Sequence, residues 1–488
     1  DEKGNETYLG LTEEDFNTSP FSRYAASNND NMTTEHTQYM LTHHLDFSKN
    51  LNITTTFYRN NFARNWYKLN DITFEGDKQK VSKILGDPTS YSNHFGIVIG
   101  TVNSALDAIG VKANNRTYYA QGMQSKLDYH WYTGNAFHDL EIGFRYHYDE
   151  EDRFQWVDKY SISNSGVLTE TTAGVPGTDA NRISSAKAFA SYITYKLKFQ
   201  NWTFTPGVRY EDILLERKDF GKNDITRSGS DLSERENTIA IFIPGMGANY
   251  KFNNNFSLFG GIHKGFSPPG NKEDEKAEES INYELGTRFN LGKLKGEFVG
   301  FYNDYSNLLG SDIAATGGTG SLDQFNAGEV KVNGIELLLN YNLTSKEARF
   351  SLPISFGYTF TNTEFLNSFG SADSLWGTVM VGDELPYIPK HQLNAALSLE
   401  HTRFEVNFNA RYNGEFRTLA GSGNIPTNEK VDSNFIIDMS GKYTVTPQFQ
   451  LTANITNLLN NTYAVSRVPA GLRPGHPFGI YGGFQYQF

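Results

Sequence analysis

Cysteine is absent from the 488 residues, which removes thiolate metal sites, cysteine nucleophiles and disulfide frameworks. No run approaches the ~20 apolar residues that a membrane-spanning helix needs. The best stretch, Phe95 to Leu106, is too short and runs into Asp107. Proline is scarce at 15 residues, and a formal net charge of −12 leaves no basic stripe to neutralise a nucleic-acid backbone. Nucleophile elbow, phosphate loop and zinc motif are all missing, so the expectation is no enzyme, no resident metal and no cofactor. The opening Asp1-Glu2-Lys3-Gly4 shows no signal peptide and reads as an internal start.

What is abundant is the material of strands and turns: 28 Tyr, 36 Phe and 45 Gly. A mean hydropathy of −0.52 describes a polar chain, yet a barrel whose strands alternate in polarity is polar on average too. The alternation is explicit. Phe449, Leu451, Ala453 and Ile455 oppose Gln448, Gln450, Thr452 and Asn454. Phe404, Val406, Phe408, Ala410 and Tyr412 oppose Arg403, Glu405, Asn407, Asn409 and Arg411. Leu393, Ala395, Leu397 and Leu399 face away from Gln392, Asn394 and Ser398, and Ile480, Phe484, Tyr486 and Phe488 from Tyr481, Gln485 and Gln487.

Period two repeats in 17 segments, beginning 36–47, 51–62, 116–132, 136–149, 186–199 and 202–217 and ending 447–457 and 478–488. Connections alternate in length. Ser48-Lys49-Asn50, Gly134-Asn135, Asn253-Asn254 and Gly292 are short, whereas 63–115, 150–185, 218–237, 307–329, 365–389 and 415–430 are long. Short turns at one end and long loops at the other characterise outer-membrane barrels, and a soluble sandwich has no reason to sort its loops so. The expected fold is therefore all-β, a transmembrane antiparallel barrel over 36–488, with 1–35 as an extracellular loop remnant. Single-chain bacterial barrels have even strand numbers. The odd count predicts that an N-terminal piece completes the wall, cleaved or as a separate polypeptide, because an unpaired seam leaves backbone groups unsatisfied in lipid.

In the C-terminal half several motifs resemble those of TonB-dependent outer-membrane receptors. Gly265-Phe266-Ser267-Pro268-Pro269 precedes Glu278-Glu279-Ser280-Ile281-Asn282-Tyr283-Glu284-Leu285-Gly286; Val332-Asn333-Gly334-Ile335-Glu336 and Asn454-Ile455-Thr456-Asn457-Leu458-Leu459-Asn460-Asn461-Thr462-Tyr463 follow in the family's order. Near the start, Asn5-Glu6-Thr7-Tyr8-Leu9-Gly10, Arg23-Tyr24-Ala25-Ala26-Ser27 and Tyr58-Arg59-Asn60-Asn61-Phe62-Ala63-Arg64 resemble the ferric dicitrate branch. Complete members have about 22 strands around a globular plug. The resemblance implies that about five strands and the plug lie outside this chain, that a ferric chelate, foremost ferric citrate, is imported as substrate, and that the TonB-ExbB-ExbD complex supplies energy through the plug. The other partners it implies are outer-membrane lipid and the wall-completing fragment.

Strand direction places Arg64, Arg116 and Arg153 on the inner face near the extracellular rim, with Gln324 in a long loop nearby. Guanidinium forks match carboxylates bidentately, so these residues are the candidate ligand contacts for a citrate-like anion. The bland alternative is pairing with headgroups or neighbouring acids. Asp149-Glu150-Glu151-Asp152 reads as a solvated loop rather than a cation site, and the adjacent His43 and His44 point to opposite faces and cannot share a metal. A helix within 95–109 is the other local expectation. Two further functions compete: a passive porin, and a structural barrel inside a larger envelope complex.

Overall fold

The computed structural model describes residues 1–7, 9–273, 275–309, 326–345, 348–370 and 377–488, the side chains of 326 and 327 apart. Seventeen long strands form one antiparallel sheet. They are β1 (Asn31–Ser48), β2 (Leu51–Phe74), β3 (Ile109–Thr133), β4 (Ala136–Ile162), β5 (Ala180–Phe199) and β6 (Trp202–Asp219). Next come β7 (Ser233–Asn253), β8 (Phe256–Ser267), β9 (Glu278–Leu291), β10 (Leu294–Leu309), β11 (Asn326–Asn342) and β12 (Pro353–Phe365). The series ends with β13 (His391–Glu400), β14 (Phe404–Asn413), β15 (Asn434–Thr446), β16 (Phe449–Thr456) and β17 (Gly479–Tyr486). Each pairs with the next, as up-and-down topology requires. Among the described residues no pairing joins β1 to β17: β17 bonds only to β16, and β1 to β2 and, over three residues, to Glu2–Gly4.

Register converts the alternation into two surfaces. Phe57, Met123, Tyr146 and Phe189 lie in one row on the outer face. Two residues higher, still facing outward, the row is Arg59, Gln121, Tyr148 and Lys187, which marks the polar edge of the hydrocarbon-facing band. The inner face carries Thr54, Lys126 and Arg145, with Lys126 bonded to Glu141 at 3.2 Å. No described helix is long and apolar enough to cross a membrane, and closed β-strands are the other backbone form whose hydrogen bonds can be satisfied there.

β2, β3 and β4 contain 24, 25 and 27 residues, where a tilted crossing needs ~9–11. Their upper halves rise above the membrane, through 63–74, 109–115 and 150–162, which the sequence pattern assigned to loops. The outward positions there are buried rather than lipid-facing, and a register shift between Leu69 and Asp71 offsets the pattern of β2. Leu69, Ile72, Ile109 and Val111 pack into an apolar cap with Leu9, Leu11, Phe16, Val81, Ile84, Ile97, Ile162 and Leu472. The helix expected in 95–109 is found slightly earlier, at Ser92–Ile99, and ends on Gly100 at φ 77°.

The cap ties together segments from opposite ends of the chain. Gly10 and Leu11 donate backbone N–H groups to the carbonyls of Ala470 and Leu472 at 2.6 and 2.7 Å, and Leu472 returns a bond to Leu11 at 2.7 Å. Gly471 has φ +76°, and a Cβ on Gly10 would strike the carbonyls of Gly471 and Leu472. Arg467 adds an ion pair to Glu13 at 2.9 Å. The connection between β16 and β17 is thereby clasped to the N-terminal segment above the unpaired edges.

The glycine of the Val332-Asn333-Gly334-Ile335-Glu336 motif has a steric reason: a Cβ there would collide with the Phe360 carbonyl and the Phe301 ring. Gly334→Ala is expected to destabilise the barrel by roughly 1–3 kcal/mol, the range for overpacking. Gly357→Ala, whose Cβ would meet only the Asn394 carbonyl oxygen at 3.9 Å, should be close to neutral. Urea unfolding in phospholipid vesicles measures both, and equal midpoints would refute the steric reading.

Candidate functional site

Four arginines stand in a single row on the inner face of β2 to β5. Arg64 is the register partner of Arg116, Arg116 of Arg153, and Arg153 of Arg182. Asp219 of β6 ends the row. The row lies five residues above the Arg59–Lys187 boundary, outside the membrane. Cross-strand neighbours are ~5 Å apart, so the sheet holds four like charges in one patch. Glu151 relieves part of the repulsion, accepting from Arg116 Nη1 at 3.0 Å and Arg153 Nε at 2.7 Å. The Tyr118 hydroxyl accepts from Arg64 Nε at 3.4 Å and Arg116 Nη1 at 3.3 Å. The guanidinium of Arg182 is buried and makes no hydrogen bond or ion pair with another described residue.

Above the row the inner face stays polar. Gln155 donates to the Asn114 side-chain oxygen, which also accepts from Arg116 Nε at 3.1 Å. One step higher Lys68 faces Lys112 across the β2–β3 pair; Lys112 bonds Asp179 at 2.6 Å, and Lys68 lies 4.9 Å from the Trp66 ring centroid. In a chain of net charge −12, this wall gathers Arg64, Arg116, Arg153, Arg182, Lys112 and Lys68, with Glu151 bonded to Arg116 and Arg153 and Asp179 to Lys112. The electrostatics register the crowding. Burial, then the charges of Arg153 and Arg217, lower the Arg182 pKa to about 10. Burial, then Lys112 and Arg116, push Lys68 down to about 7. Such a cluster is poised for an oxyanion-rich ligand, which would replace missing counter-charge.

Residues 3–458 match the family described as TonB dependent receptor-like, beta-barrel. The chain belongs to that family. It is a receptor barrel of the bacterial outer membrane rather than an enzyme. The ferrienterobactin receptor of Escherichia coli K12 is 25% identical over 328 residues, 61% of this chain and 40% of that receptor. A probable TonB-dependent siderophore receptor, PirA of Acinetobacter baumannii, is 24% identical over 398 residues, 73% of this chain and 47% of the relative. The crystal structure of the unliganded ferric citrate transporter FecA shares the fold at a TM-score of 0.70 and 17% identity, covering 98% of this chain and 65% of that one. The receptor barrel therefore spans less than half the length of these two curated relatives.

Of the residues singled out from sequence, Arg64, Arg116 and Arg153 are brought together, while Gln324 lies outside the described residues. Arg182 was missed because its strand was expected to begin at 186 and begins at Ala180. The signal was present in the small alternate residues Ser184, Ala186 and Ala188, which extend the inner face upward to it. Lys112 and Lys68 were hidden in the supposed loop 63–115. The acidic run 149–152 also needs correction, since it lies within β4 and its members are paired. Asp149 bonds His147 at 3.0 Å, Tyr148 donates to Glu150 at 2.8 Å, and Asp152 takes a two-pronged bond from Arg227 at 2.8 and 2.6 Å.

Burial pushes the Glu151 carboxyl up, but the hydrogen bond and charge of Arg153 and the charge of Arg116 outweigh it and hold the group below its ordinary 4.5. Its contribution to stability is therefore complete above that value and is lost as pH falls through the lowered folded pKa. Hydrogen-exchange protection across 145–160, corrected for the intrinsic pH dependence of amide exchange, should fall on acidification below about pH 4.5. Glu151→Gln should show lower protection already at neutral pH and lose this dependence, since each hydrogen bond to a charged group that is lost is worth roughly 1.5–3 kcal/mol. An unchanged acid profile in the variant would contradict the bridging role.

Proposed function

We propose that this receptor barrel forms the wall of an energised importer for an anionic ferric chelate, ferric citrate being the leading substrate. The observation that carries the reading is the arginine row with the lysines above it. A carboxylate-rich complex accepts bidentate bonds from guanidinium forks, and an incompletely neutralised patch rewards exactly that exchange of water for ligand oxygens. Arg64, Arg116, Arg153 and Arg182 are assigned as ligand contacts, with Gln324 as a candidate amide. Asn114 and Gln155 orient the row, and Lys68 acts through its charge. No bond of the substrate is broken; the work is capture followed by passage. The names of the relatives, a ferrienterobactin receptor and a siderophore receptor in sequence and a ferric citrate transporter in fold, support a ferric chelate as the class.

A lumen of this width needs a plug to stay selective. The proposal therefore includes a plug bound inside the barrel, energy delivered to it through TonB with ExbB and ExbD, and a polypeptide segment that pairs with the free edges of β1 and β17. Those edges present unpaired backbone groups, which lipid cannot satisfy.

The test is equilibrium binding of ferric citrate, against a neutral and a catecholate ferric chelate, to protein that retains its plug. Neutralising Arg116, Arg153 and Arg182 together should weaken ferric citrate binding by about 100-fold or more, as the loss of several charged contacts implies. Affinity should also fall as pH rises through about 7, where Lys68 loses its proton, and Lys68→Met should flatten that dependence. Tighter binding of the neutral chelate, or binding indifferent to the triple variant, would overturn the reading.

A further inference from the structure

The outer face of β9 to β12 contains a slot with no explanation in backbone packing. One outward row reads Leu285, Gly300, Ile335 and Phe360 across the four strands. Gly300 is the gap in it. A Cβ added there would meet nothing nearer than the Leu285 carbonyl oxygen at 4.0 Å, and the residue does not occupy the left-handed region. Glycine inside a strand weakens it, so a position that could hold a side chain and does not calls for another reason. The result is a groove of about 430 Å³.

The next row up supplies a polar lip. Tyr283, Tyr302, Asn333 and Asn362 are register partners on the same outer face. Neither amide side chain makes a hydrogen bond to another described residue, although the row borders hydrocarbon, where an unpaired amide is costly. Above it Lys264, Asp304, Lys331 and Glu364 form the charged rim, with Lys331 neutralised by Glu364 at 2.7 Å and Lys264 by Glu279 at 2.8 Å. The lip thus offers amides and phenols beneath a rim whose acids, Glu279, Asp304 and Glu364, outnumber its bases, Lys264 and Lys331.

We propose that this slot is a binding site for a single lipid of the outer leaflet. Its acyl chain fills the space left by Gly300, and its uncharged, hydroxyl- and amide-bearing headgroup hydrogen-bonds to Asn333 and Asn362. The chemistry fits a sugar-headed lipid. A phosphate-headed lipid is disfavoured, because among the described residues the cations of this rim, Lys264 and Lys331, are already paired with Glu279 and Glu364, and Asp304 stands between them. The site is independent of the inner arginine row and of the substrate assigned to it.

Native mass spectrometry of the full chain in detergent tests this, using a single-chain N-acyl glucosamine lipid and a phosphatidylglycerol of equal chain length as probes. The glucosamine lipid is expected to bind one to one, at least about tenfold tighter than the phosphatidylglycerol. Gly300→Leu should abolish the preference by filling the slot. Asn333→Leu leaves the slot open and should lose the headgroup contribution alone, reducing the preference for the sugar head while retaining chain binding. Gly482→Leu, outward-facing with open space around it, should change nothing. Heat-modifiable migration on gels confirms that each variant has folded. Equal retention of both lipids by wild type would mean ordinary annular lipid only and would sink the proposal. Undiminished binding in folded Gly300→Leu, or loss of a co-purifying protein in place of lipid, would do the same.

Discussion

Everything in this molecule depends on the hydrogen-bonded ladder between neighbouring strands. Inside a bilayer no water is available for backbone amides, so each strand must be satisfied by the two beside it. That requirement extends every strand and fixes the register, and register assigns each side chain to lipid or lumen without further instruction. The row from Phe57 to Phe189 and the row from Arg64 to Arg182 follow from the same ladder, read on opposite faces. The two unpaired edges of the sheet are the places where the ladder leaves its obligation open.

The ladder also makes the inner wall a means of concentrating charge. Arginines scattered on a flexible surface would move apart and be screened. Here rigid neighbouring strands hold them side by side, and Glu151 and Asp179 take up only part of the repulsion. The pKa values of Arg182 and Lys68 are lowered by burial and by the neighbouring cations. Electrostatic strain of this kind is tolerable because the strands below, in lipid, carry the stability of the whole.

Within the membrane the architecture was legible from sequence, since water-free surroundings enforce period two. Phe404 to Tyr412 and Phe449 to Ile455 point where the pattern put them. Legibility failed where the environment changes. Above the polar boundary the outward side of β2 and β3 is covered by the apolar cap, and a register shift between Leu69 and Asp71 puts Leu69 and Ile72 three residues apart, so these extensions were read as loop. The site was half legible for the same reason. Arg64, Arg116 and Arg153 could be extrapolated from clear strands, whereas Arg182, Lys112 and Lys68 lie on extensions whose pattern belongs to the cap. The cross-strand pairing that places four arginines abreast is a matter of register between distant segments, which no single strand encodes.

The contact of Gly10 with Gly471 has an implication for how such a surface can vary. Exposed loops ordinarily tolerate exchange one residue at a time, because solvent yields to any side chain. At this crossing two bare backbones touch, and neither side has room for a carbon atom on the other's account. A replacement on one side demands a compensating shift on the other, some four hundred and sixty positions away. Two segments far apart in sequence are thereby bound to a common history, while the loops around them remain free to diverge.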